Sequence, residues 1–142
     1  MSTWADRRRD ARGFWEVAQA AHDPAHAPQA AANAILAVIA ANDAICLYLA
    51  GRQPHGRSHT EAAQVLREVC RGTPWEQAAG QRAQQLLEVL RQKNAAQYQG
   101  RDLSPAQAAK IMRQAERFLT WAQEVLPARG GEEASGSSED QA

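Results

Sequence analysis

Ala34-Ile35-Leu36-Ala37-Val38-Ile39-Ala40-Ala41-Asn42-Asp43-Ala44-Ile45-Cys46-Leu47-Tyr48-Leu49-Ala50 is apolar from end to end except at Asn42 and Asp43, with one further hydroxyl on Tyr48. Ile35, Val38, Ile39, Ile45, Cys46 and Leu49 cover one broad face at helical spacing. Leu36, Ala40 and Leu47 carry apolar character onto the other. A helix apolar on all sides belongs at the centre of its domain. Asn42 falls on the main stripe, between Ile39 and Ile45, with Asp43 beside it. A lone carboxylate is very costly to desolvate, so Asp43 needs a partner.

A second apolar stripe breaks in the same manner. Ala83, Leu86, Leu87 and Leu90 share a helix face, and the next positions on it are Lys93, Asn94, Gln97 and Tyr98. Asn94 and Tyr98 stand one above the other. Lys93 is the obvious candidate partner for Asp43. Two readings follow. The polar breaks are a hydrogen-bonded network that fixes helix register, or both line one pocket. Either way the buried polar groups need satisfying, at a cost of about 1–3 kcal/mol each if left alone.

The chain of 142 residues suits one domain with one substantial core. The expected division is a helical domain over 1–127 and a Gly/Ser/acidic disordered tail over 128–142. Sixteen basic residues balance sixteen acidic ones, so no net field points to nucleic acid. The acidic tail leaves the body mildly basic, which is compatible with RNA binding without arguing for it. Two cysteines, Cys46 and Cys70, sit at apolar helical positions without metal or redox spacing and suggest a reducing compartment. The Arg-rich start has no apolar segment behind it, and residues 34–50 are short for a bilayer span, so a cytoplasmic protein away from membranes is expected.

No segment alternates at period two, and the expected fold is all-α, an up-and-down bundle of about five helices. The predicted helices cover about Thr3–His22, Gln29–Ala50, Ser58–Arg71, Thr73–Gln99 and Ser104–Leu126. Gly51 stops the second. Ser58 with Glu61, Thr73 with Glu76 and Ser104 with Gln107 read as capping boxes. Gly80 is a point of loosening in the fourth.

Among groups that carry chemistry there is no phosphate-binding Gly loop, nucleophile elbow or zinc spacing, and no cofactor or metal is expected. His55 and His59 straddle Gly56 and share no helix face. His59 alone, in the first turn of the third helix, is a candidate general base. Arg57 before it suits bidentate phosphate contact. Arg7-Arg8-Arg9 and Arg12 read as a solvated face balanced by Asp6, Asp10 and Glu16, or else as a phosphate-backbone contact. Trp75 reads as a lid on a helix entry, and Trp121 as a residue off the stripe, suited to a subunit interface.

Ala41-Asn42-Asp43-Ala44, Gly56-Arg57-Ser58-His59, Lys93-Asn94 with Tyr98, and Ala115-Glu116-Arg117-Phe118 occur in an order that resembles small bacterial proteins of the HEPN superfamily (higher eukaryote and prokaryote nucleotide-binding), over about Gln29–Leu126. The resemblance implies an all-α homodimer, RNA or nucleotide as ligand, and metal-independent endoribonuclease activity of the toxin type with an antitoxin partner. It also implies an Arg-x(4–6)-His motif that meets its twofold mate. In that place stands Lys93-Asn94-x3-Tyr98. Lysine lacks the bidentate fork of arginine. A tyrosine, with an ordinary pKa of about 10, is a poor base at neutral pH. Arg52 and His59 satisfy Arg-x6-His across a Pro/Gly loop. On this reading Lys93 is the cation, Asn94 the orienter, Asp43 its support, and His59 or Tyr98 the proton carrier. Asn42, Arg52 and Arg57 are candidate binding residues. The alternative is a non-catalytic helical binding or scaffold module whose polar core is structural.

Overall fold

The computed structural model describes residues 3–21, 23–56, 58–93 and 103–127. Five α-helices stand in these segments: α1 (Trp4–Ala20), α2 (Ala27–Ala50), α3 (His59–Cys70), α4 (Glu76–Leu90) and α5 (Pro105–Val125), with a single 3-10 turn at Pro24–His26 before α2. There are no strands among the described residues, and the architecture is an all-α bundle. The tail over 128–142 lies outside the described residues.

α2 is the axis of the bundle and packs against each of the other four helices. Its residues from Ala40 to Cys46 are all buried without interruption, as all-round apolarity requires. At 24 residues it exceeds the run on which the membrane expectation rested, and it is long and apolar enough to span a bilayer by length and composition. Two-thirds of that apolar window (67%) is buried inside the bundle, as in the core helix of a globular fold. Gly51 ends it in the left-handed conformation at φ 68°, its N–H donating to the Leu47 carbonyl at 2.9 Å.

The other helices bury one stripe each. α3 contributes Ala63, Leu66, Val69 and Cys70, and α4 Ala79, Ala83, Leu86, Val89 and Leu90. α5 contributes Ile111, Ala115, Phe118 and Leu119. Trp121 belongs to this core and not to a free surface. It is 2% exposed, meets the Phe118 ring edge-on at 5.8 Å, and carries the Arg82 guanidinium over its face. Trp75 is half-buried against the core. Cys46 and Cys70 are free thiols, and burial pushes both upward, Cys70 to about 11. They behave as small hydrophobes.

Two local expectations change. The Ser104 box forms as predicted: Ser104 Oγ accepts the Gln107 N–H at 3.1 Å, and Gln107 Oε1 accepts the Ser104 N–H at 2.8 Å. Thr73 does not cap α4 in this way. Its hydroxyl donates to the Cys70 carbonyl and accepts from Trp75 N–H, while Glu76 accepts from Gly72 N–H. Thr73 therefore closes the α3–α4 turn, and α4 begins later, at Glu76. α4 passes through Gly80 and ends at Leu90, with Arg91 and Gln92 in a turn, so the predicted continuous helix to Gln99 is interrupted before the residues that fall outside the described set.

Phe118→Ala is expected to cost about 3–5 kcal/mol, since the ring is fully buried. Ser104→Ala is expected to cost about 1 kcal/mol through the lost cap. Urea unfolding followed by helical circular dichroism measures both.

Candidate functional site

Asn42 and Asp43 lie within the uninterrupted buried stretch of α2 from Ala40 to Cys46. Asn42 is 2% and Asp43 9% exposed. Both open onto a cavity of about 580 Å³. Ile39 of α2, Ala62 of α3, and Leu86 and Leu90 of α4 form its apolar wall. The loop after α2 closes it with Gln53, Pro54, His55, Gly56 and Ser58; the first turn of α3 supplies His59, and Lys93 enters beyond α4. Asn42, Asp43, His59 and Lys93, singled out separately in the sequence, thus line one space. Asn94, Tyr98 and Arg57 lie outside the described residues.

Asp43 is not paired as expected. Its partner is Arg7, whose Nε and Nη2 both donate to Asp43 Oδ2, at 3.3 and 3.0 Å. Arg7 Nη1 donates to Asp10 Oδ2 at 2.7 Å, so one guanidinium bridges a carboxylate of its own helix and one of α2. Lys93 makes no ion pair with any described residue and stays a half-buried cation in the cavity wall. Arg8 also departs from the predicted solvated face. It is 6% exposed, stacks over Trp4 and donates through Nη1 to the Pro127 carbonyl.

Burial raises the Asp43 carboxyl above its ordinary range, and the Arg7 hydrogen bonds and charge offset only part of that rise. Asn42 Oδ1 accepts the weak Cys46 thiol donor one turn on, at 3.9 Å. Ser58 caps α3, its Oγ accepting the Glu61 N–H at 3.0 Å. That places the positive pole of a helix at the rim beside His59. His55 also lines the cavity, although it shares no helix face with His59. Arg52 is not among the lining residues. It pairs with Glu68 of α3, which also accepts from Gln64 at 3.0 Å, and these bonds hold the Glu68 carboxyl below its usual range.

The cavity therefore combines an ammonium, two imidazoles, two amides and a guanidinium-backed carboxylate above an apolar wall. Such a set suits an anion carried on a flat or apolar body, with imidazole available to move protons. Among the described residues no group of three or more His, Cys, Asp or Glu converges as metal ligands would. Comparison with protein-family models, curated proteins and solved structures finds no match.

Arg7→Ala is expected to destabilise the fold in a pH-dependent way. The native carboxyl of Asp43 holds its proton to higher pH than the unfolded one, so its contribution to stability falls as pH rises from about 4 through the raised native value. Removing Arg7 lifts that value further and widens the window. The cost is expected to be small near pH 4 and on the order of 2 kcal/mol at pH 8. Arg7→Ala with Asp43→Asn should recover most of it. Urea melts across this range test the pairing; a cost independent of pH would remove it.

Proposed function

We propose that the chain is an HEPN-like, RNA-directed protein of the cytoplasm, a metal-independent endoribonuclease of the toxin type that acts as a homodimer. Its cleavage site is the cavity between α2, α3 and α4. The observation that carries this reading is the meeting of Asn42, Asp43, His59 and Lys93, from three separate parts of the chain, around one space.

Cleavage proceeds by attack of a ribose 2′-hydroxyl on the adjacent phosphorus, with expulsion of the 5′-oxygen and formation of a 2′,3′-cyclic phosphate. His59 takes the 2′-hydroxyl proton as the O–P bond forms. Lys93 offsets the charge that grows on the phosphorane oxygens. His55 returns a proton to the departing 5′-oxygen. Asp43 acts as a positioning residue, its Oδ2 held by the Arg7 guanidinium.

One observation favours the second reading, a non-catalytic binding or scaffold module. Arg7 pairs with Asp43 Oδ2 and is not itself a lining residue of the cavity, as in a purely structural pair.

Purified protein is expected to cut a labelled RNA panel in EDTA and leave cyclic phosphate ends. His59→Ala and Lys93→Ala should each lose at least about 100-fold in rate with melting temperature preserved. Expression of the wild type, but not of His59→Ala, should slow growth. No cleavage of any RNA, with Lys93→Ala changing only thermal stability, would leave the module reading. A thermal shift with nucleotides and no cleavage would point to a nucleotide sensor.

A further inference from the structure

A second cavity, of about 420 Å³, lies between α1, α2 and α5 and shares no residue with the first. Alanines create it. Ala11 of α1, Ala41 of α2 and Ala122 of α5 face each other where larger side chains would close the gap. Trp15, Leu119 and Leu126 complete an apolar wall. A volume in the range of about 300–1,000 Å³ is that of small-molecule sites.

The polar residues of this cavity all suit one kind of ligand. Arg8, Arg12 and Gln123 line it, and no Asp or Glu does. Arg8 is buried and is steadied by the Trp4 ring and the Pro127 carbonyl. Arg12 is exposed, so positive charge runs from the wall to the mouth. A guanidinium matches a carboxylate through paired N–H donors, and the Gln123 amide adds a further donor.

We propose that this cavity binds a medium-chain organic carboxylate, its alkyl body among Ala11, Trp15, Ala122 and Leu126 and its head group on Arg12. The chemistry excludes a cation by charge and a fully polar anion by the apolar walls. It also separates this ligand from any phosphate held beside His59 and Lys93.

Titration calorimetry with decanoate, kept below its micelle-forming concentration, tests the assignment on the full chain. One saturable site per chain is expected, with a higher melting temperature in its presence. Arg12→Gln should weaken binding at least tenfold, and decanol should bind at least tenfold less tightly than decanoate. Ala122→Leu, which fills the space, should abolish binding. Should that variant fail to fold, Arg12→Gln carries the test, since Arg12 is exposed. Arg113→Gln, on a different face, should leave affinity unchanged. Absence of a saturable site, decanol binding as tightly as decanoate, or unchanged affinity in Arg12→Gln would each overturn the proposal.

Discussion

A carboxylate in the middle of the most buried helix needs a cation brought to it, and Arg7 is that cation. Asp43 is 9% exposed, and its two hydrogen bonds from Arg7 tie α1 to α2. An unpaired charge at this depth would cost several kcal/mol, so the pair constrains where α1 sits and how it is rotated. Once Arg7 faces Asp43, the next residue, Arg8, is turned by about 100° around the helix. Arg8 then lines the cavity against α5 instead. α2 divides in the same way. Ala41 faces the α1–α5 side, and Asn42 and Asp43 face the α3–α4 side. One turn of the central helix separates two recesses that share no lining residue.

The helical architecture was readable because hydrophobic periodicity reports burial directly. The run from Ala34 to Ala50 is apolar around its circumference, and the helix that contains it packs on all four others. Caps were readable where a side chain and its target lie three residues apart, as at Ser104 and Gln107. The same local logic misled at Thr73, where the hydroxyl had a competing acceptor in the last turn of α3. It also misled at Trp121. Helical spacing alone set that residue off the stripe, but α4 and α5 pack so that Arg82 and Phe118 enclose it.

The candidate site was legible in part, for a related reason. A polar break in an apolar stripe must face something other than close-packed side chains, and the breaks at Asn42–Asp43 and at Lys93 face the same cavity. Arg7 was hidden because Asp6 and Asp10 offered partners within its own helix, whereas Asp43 lies 36 residues away. His55 was discounted because Gly56 separates it from α3. The loop nevertheless folds it over the space that His59 borders. Arg52 fits an Arg-x6-His spacing, but spacing carries no direction, and its guanidinium turns outward to Glu68.

The two functional readings weigh different parts of this arrangement. A structural polar core accounts for Arg7 and Asp43, which satisfy each other and hold two helices in register. It gives no reason for His55, His59 and Lys93 to border the same open space, because the pair forms without them. A phosphate-handling site accounts for the cation and the imidazoles. It also uses the pair, since groups that act on substrate need rigid support behind them. A purely structural role would be served as well by apolar residues packed to fill the cavity, because replacing a buried ion pair in this way is often neutral or stabilising. The convergence of His55, His59 and Lys93 on one recess beside Asn42 and Asp43 is what the catalytic reading uses and the structural reading leaves without a role.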